Sequence, residues 1–292
     1  MSGAAAEDGD PLLGGRFRLG QLEREVDGGR IGWSVRGGRD GPLVLIPGSF
    51  DDRGVFAPLI ERLGEGMAVC VVELPGHGRS WPPAVDGSIE RFAERVAGVL
   101  ERLYDRPVCV GGHSIGGMVA IQVAGSARER VSGVISLEGW TNHRAARAAF
   151  GGDMTGTLSA RQEAERQARR ARVTERWSAN EVSRFSRIWR RWDGGPILAA
   201  TRLPVLEIYG DRGRAAPTRE ALRIPARGNI DLQMIEGVSH YVHVERPDEV
   251  ALACRRFLAS VAAPSVADVA RRSATGCWAY PSGSTDTTME SR

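Results

Sequence analysis

No lysine occurs anywhere in the 292 residues, so all 39 basic side chains are arginines. That absence excludes Schiff-base chemistry and a P-loop phosphate site, because each requires a primary amine on a flexible stem. Cysteine is scarce: Cys70, Cys109, Cys254 and Cys277 show no CxxC or CxxxC spacing, and the first two sit inside apolar runs. They are expected to be reduced thiols, mostly buried, and not a disulfide framework. The five histidines, His77, His113, His143, His240 and His243, contain no HExxH pattern and no Cys/His cluster beyond the last pair, so neither a metal nor another cofactor is expected. Net charge is small as well, +3 from 39 basic and 36 acidic residues, too little to argue for nucleic acid as a partner. There is no apolar run of ~18 residues that could span a bilayer. The first fifteen residues, MSGAAAEDGDPLLGG, lack both the basic start and the apolar stretch of a secretory signal. A soluble, cytoplasmic protein without a membrane partner is therefore expected, its oligomeric state open.

What is present fits a globular fold. Hydrophobic residues make up 42% and charged residues 26% of the chain, close to the averages for a soluble domain. At about 150 residues per domain the length suggests two units, or one α/β domain with an insertion. After a flexible start over residues 1–15, β-like stretches near 16–26 and 29–37 flank Asp27-Gly28-Gly29, a good hairpin turn. Short, continuously apolar strands then alternate with amphipathic helices. The strands are Leu43–Ile46, Ala68–Leu74, Val108–His113, Val131–Leu137, Val205–Tyr209 and Ile230–Ile235, and helices fall near 55–63, 89–103, from 115 onward and 250–261. Continuous apolarity suits strands covered on both faces, so an α/β fold with a doubly wound, mostly parallel, eight-stranded sheet is predicted.

Residues 141–203 interrupt this pattern with thirteen arginines against six acids, while the rest of the chain carries a balance of −4. Trp177, Phe185, Ile188, Trp189 and Trp192 recur there at helical spacing, which reads as a helical cap laid over a core formed by residues 16–140 and 204–263. The polar, aperiodic segment 264–292 reads as a disordered tail.

The sharpest chemical feature is the apolar strand Val108–His113 running straight into Gly112-His113-Ser114-Ile115-Gly116 and then a helix. Gly-x-Ser-x-Gly between strand and helix is the pattern of an exposed nucleophile on a strained turn, with glycines where side chains would collide. The free N–H groups of the following helix favour negative charge beside Ser114.

On these residues the sequence resembles the α/β-hydrolase fold family over roughly residues 16–262, as a serine hydrolase of carboxylesterase type. Leu43-Val-Leu-Ile-Pro-Gly-Ser-Phe-Asp-Asp52 looks like the family's oxyanion loop, with Pro47 where a His is usual. The resemblance implies the backbone N–H groups of Ser49 and Ile115 as oxyanion donors. Glu73-Leu-Pro-Gly-His-Gly-Arg-Ser80 is similar to a family turn in which His77 is structural. Gly237-Val-Ser-His240 matches the segment that carries the base, implying that His240 meets Ser114, while His243 packs or hydrogen-bonds in the loop. His113 adjoins the nucleophile but is expected to point the other way along the turn.

The acid departs from the common pattern, because the usual fourth position of the Gly210-Asp211-Arg212-Gly213 turn is Gly213. Glu138, at the end of the strand after the nucleophile helix, resembles a family branch with its acid there and is favoured. Asp211 is the alternative acid, and a water-supported dyad the third possibility. Asp51 and Asp52 are read as helix caps, and Arg169, Arg170 and Arg172 as a solvated helix face. Trp140, Trp177, Trp189 and Trp192 are candidates for an apolar substrate pocket, with the arginine excess as a receiver for a carboxylate or phosphate. The reading is a serine hydrolase cleaving an ester of a small or medium-sized molecule through an acyl-enzyme. A thioesterase, a carbon–carbon bond hydrolase and a non-catalytic ligand-binding member of the fold are the alternatives.

Overall fold

The computed structural model describes residues 9–23, 29–84, 87–151 and 155–262. Its centre is an eight-stranded sheet in the order β1-β2-β4-β3-β5-β6-β7-β8. The strands are β1 (Arg18–Glu23), β2 (Arg30–Arg36), β3 (Asp40–Ile46), β4 (Met67–Val72), β5 (Val108–His113), β6 (Val131–Leu137), β7 (Val205–Gly210) and β8 (Ile230–Ile235). β1 pairs antiparallel with β2 and β2 antiparallel with β4, and every other pairing is parallel. The opening antiparallel pair is as expected from the sequence, and Asp27 and Gly28 of its turn lie outside the described residues.

The helices in chain order are α1 (Ala57–Leu63), α2 (Ile89–Leu103), α3 (Ile115–Ser126), α4 (His143–Phe150), α5 (Ala160–Thr174), α6 (Ala179–Phe185), α7 (Gly195–Ala200), α8 (Val242–Glu245) and α9 (Pro247–Ala262). β5 and β7 are buried along their whole length, because α2 and α3 pack against one face of the sheet and α1, α8 and α9 against the other. Each fully buried Val, Leu or Ile in those strands contributes about 1.5–3 kcal/mol. The alternation is visible in β3, where Val44 and Ile46 join the core on one face while Leu43 and Leu45 join the other. α2 starts where the Ser88 side chain accepts from the Arg91 N–H, and it buries Ile89, Phe92, Val96, Val99 and Leu100 on one face.

Between β6 and β7 the apolar aromatics expected on one helix are spread over short pieces. α5 and α6 each begin with a capping box, Ser159 with Gln162 and Ser178 with Glu181, and a 3₁₀ turn follows at Ile188–Arg191. Local capping outcompetes a longer run.

Two expectations change. Residues 9–15 are not a loose start: Asp10 is buried, accepts from the Leu12 N–H at 2.8 Å and pairs with Arg53 at 2.5 Å. Of the arginines read as solvated on α5, Arg169 is buried and bound to Asp51 at 2.8 Å, whereas Arg172 stays half-exposed while reaching Asp52 at 2.7 Å and Arg170 is exposed. Sequence periodicity could not reveal these pairs because their partners lie more than a hundred residues away. Asp52 also caps the turn at Arg53 by accepting from the Gly54 N–H, whereas Asp51 is spent on Arg169. Residues 1–8 and 263–292, with the predicted tail and Cys277, lie outside the described residues. Cys70, Cys109 and Cys254 are buried and unbridged. Among the described residues no helix is long and apolar enough to cross a membrane.

Candidate active site

The turn between β5 and α3 is as tight as its glycines suggest. A Cβ on Gly112 would run into the Gly116 backbone, and one on Gly116 into the carbonyl of Ile46. Ser114 sits at φ 55° and ψ −123°, a conformation that costs a non-glycine residue about 1–3 kcal/mol and is retained where surroundings over-determine it. Phe50, Glu138 and Arg212 also have positive φ, so four of the five such non-glycine residues among those described converge on this end of the sheet. Ser114 is half-buried and opens onto a cavity of about 440 Å³ that His240, Trp140, Ser49 and Ile115 also line.

His240 is delivered by the loop after β8, and Glu138 by the turn after β6. Although 102 residues apart, they meet, with His240 Nδ1 3.1 Å from Glu138 Oε2. In the tautomer this implies, Nδ1–H donates to the carboxylate and Nε2 is left as an acceptor. The Glu138 carboxylate is fully buried and fully engaged. It accepts from the Gly210 N–H at 2.7 Å, from Arg212 at 2.5 and 2.8 Å, and from Trp140 Nε1 at 3.3 Å. Burial alone would raise its pKa, but hydrogen bonds and charge from Arg212 and His240 outweigh that and hold it below the usual range. Burial pulls His240 below its ordinary value; Glu138 works against that shift and the Arg212 charge adds to it. The imidazole is thus neutral at pH 7 and able to accept a proton.

Asp211 is not at the histidine. Its Oδ1 accepts from the N–H groups of Gly213 and Gly237, each at 2.7 Å, so it shapes the turn. Its neighbour Arg212 was overlooked by sequence reasoning. The available signal was chemical: a carboxylate buried at the end of β6 needs a cation, and arginines flank the vacant acid position on both sides, Arg212 and Arg214. Glu138 therefore takes two partners, the His240 imidazole and the Arg212 guanidinium from the turn after β7.

The loop after β3 packs against the elbow so closely that a Cβ on Gly48 would stand 2.8 Å from His113 Nδ1. His77 fixes that loop from behind. Its Nδ1–H donates to the Pro75 carbonyl at 3.0 Å, and its Nε2 accepts from the Phe50 N–H at 2.9 Å. Burial lowers its pKa to about 4, which keeps Nε2 available for that bond. The Phe50 amide is thereby committed, whereas Ser49 borders the cavity and Ile115 is the first residue of α3, without an intrahelical acceptor for its N–H.

His113 also turns out to be involved. Its ring lies tilted, 4.6 Å from the rings of both His240 and His243, and its Nε2 lies 3.0 Å from the His240 carbonyl. The Nε2–H donated there holds the backbone of the histidine loop. His243 packs against Phe56 and is pushed down to about 3 by burial, so it stays neutral filler. Of the tryptophans, Trp140 lies 4.8 Å from the His240 ring, and Trp189 packs tilted against Trp140 at 5.5 Å, both on the cavity wall. Trp177 and Trp192 are not on that wall. They pack inward, donating to the Gly76 carbonyl and to Gln122 Oε1, each at 2.9 Å.

The doubly wound sheet that carries this site agrees with the comparisons with known proteins. Residues 43–253 match the alpha/beta hydrolase family. The chain belongs to that family. A pimeloyl-[acyl-carrier protein] methyl ester esterase of Stenotrophomonas maltophilia is 28% identical over 255 residues, covering 77% of this chain and 95% of that protein. Two other relatives match over shorter stretches. One is the 2-(acetamidomethylene)succinate hydrolase of Mesorhizobium japonicum, 30% identical over 40% of this chain and 42% of the relative. The other is the dihydrolipoyllysine-residue acetyltransferase component of an acetoin cleaving system from Pseudomonas putida, 35% identical over 37% and 30%. In those two the match spans less than half of the relative. Among solved structures, the carboxylesterase CesB of Bacillus subtilis superposes with a TM-score of 0.65 at 18% identity, over 85% of this chain and 93% of that one. Its likeness is one of fold.

Proposed function

We propose that the protein is a serine hydrolase that cleaves a carboxylic ester of a small or medium-sized molecule through an acyl-enzyme. The observation that carries this reading is the 3.1 Å contact between His240 and the buried Glu138 at the cavity that Ser114 lines. On this reading Ser114 Oγ attacks the carbonyl carbon while His240 Nε2 takes its proton, and Glu138 holds the imidazole in the tautomer that leaves Nε2 free. The N–H groups of Ser49 and Ile115 receive the oxyanion, an interaction type whose removal costs about 2.7–4 kcal/mol per donor. The protonated His240 gives its proton to the departing alkoxide. A water, deprotonated by the same nitrogen, then attacks the acyl carbon and frees Ser114. The helices between β6 and β7 act as a cap that shapes the cavity. The family membership and the esterase name of the Stenotrophomonas relative support ester chemistry.

The test is hydrolysis of p-nitrophenyl esters by the wild type and by Ser114→Ala. Loss of at least about 10⁴-fold in kcat is expected, as for other serine triads. Unchanged turnover by the variant would remove the serine from the mechanism. Running acyl-CoA thioesters beside the same acyl esters separates a thioesterase, which would favour the former.

A further inference from the structure

We infer that the substrate carries an anionic group, of carboxylate type, at the end remote from the scissile bond, received by Arg147 and Arg170 at the mouth of the cavity. The inference rests on the ester-hydrolase reading and names a substrate class for that site. The cavity wall is graded in polarity. Its buried part includes the uncharged Ile115, Met118, Trp140 and Phe150. Three arginines of the inserted helices also line it, the half-buried Arg166 and the exposed Arg170 from α5 and the exposed Arg147 from α4.

Their charges are not equivalent. Arg166 binds both oxygens of Glu163, at 2.7 and 2.6 Å, and the wall's one carboxylate, Asp51, is taken by Arg169. Among the described residues neither Arg147 nor Arg170 has an acidic partner. Both are exposed, so they stand at the entrance, where solvent holds their charge until a ligand arrives. Arg170 is nonetheless held in place, its guanidinium 4.4 Å over the Phe50 ring. That stacking uses the planar face and leaves the N–H edge free to form charge-assisted bonds to a carboxylate. A wholly apolar ester fills the inner wall and leaves two cations with nothing to bind; an ester ending in an anion matches both ends.

The test compares isosteric pairs that differ only in a terminal methyl or carboxylate. On the acyl side these are p-nitrophenyl hexanoate and the mono-p-nitrophenyl ester of adipate. On the alcohol side they are pentyl hexanoate and the hexanoate ester of 5-hydroxypentanoate. The charged member of at least one pair should be favoured about tenfold in kcat/KM. That preference should shrink with added salt, fall toward one in Arg147→Gln/Arg170→Gln, and survive in Arg147→Lys/Arg170→Lys. Arg144→Gln, which removes the same charge from α4 outside the cavity, should keep it. Ser114-dependent hydrolysis without preference in either pair, or a preference that persists in the double Gln variant, overturns this inference and leaves the esterase reading standing. Hydrolysis that does not depend on Ser114 overturns that reading instead.

Discussion

At the scale of single residues, Arg212 does two things at once. It keeps the Glu138 carboxylate ionised in a fully buried setting, and its charge opposes protonation of His240. A base must be neutral to work, so kcat/KM should rise with pH through the His240 titration, with a midpoint below 6.5. Removing the arginine in Arg212→Gln removes one of the causes that lower His240, so the acid limb should move to higher pH while kcat falls. A pH–rate profile checks this, and an unmoved or acid-shifted limb contradicts it. Glu138→Gln should reduce kcat far more than Asp211→Asn, whose side chain serves only the turn; comparing the two rates tests which carboxylate supports the base. The serine, the histidine and the preferred acid were legible because each stands at a marked place in the chain, the end of an apolar strand or a glycine-flanked turn. Arg212 and His113 were not, because they act on partners brought near only by folding, Glu138 from 74 residues away and the His240 carbonyl from 127.

At the scale of elements, α5 and the loop after β3 are one mechanical unit. The Asp51–Arg169 pair is buried on both sides, and Arg172 closes on Asp52 one turn further along. Arg169→Met would leave Asp51 buried and unpaired, a change that costs about 3–5 kcal/mol. Because that loop contributes Ser49, activity should fall along with stability, as read by denaturant unfolding and ester turnover on the same sample. Strand and helix limits were readable from apolar runs bounded by glycine and capping residues, and Val108–His113, Val131–Leu137 and Ile230–Ile235 are found where the sequence suggests. The inserted region was misjudged where composition stood in for geometry. An arginine-rich helix face looks solvated unless the carboxylates opposite are known, and Trp177 and Trp192 look like pocket wall until Gly76 and Gln122 are seen to hold their indole N–H groups.

At the scale of the whole molecule, three buried carboxyls, Asp51, Glu73 and Glu207, are raised by burial and set a pH dependence of stability. Burial raises Asp51 to about 6 and Glu207 to about 7. A folded-state value above the unfolded one means the contribution is complete below the ordinary carboxylate range and is lost as pH rises through the folded value. For Glu207 the loss runs from about pH 4.5 to about pH 7. Glu207→Gln, which cannot ionise, should therefore flatten the decline in Tm over that interval, and an unchanged slope would exclude Glu207 as its source. The same sheet that buries Glu207 brings β5, β6 and the loop after β8 together at one end, and the account stands on what that convergence does to a single oxygen. Exposure to a fluorophosphonate followed by peptide mass spectrometry measures it directly. A covalent adduct on Ser114 at neutral pH, lost when His240 is replaced by alanine, is the predicted result. An unmodified Ser114 peptide in the wild-type protein would contradict it.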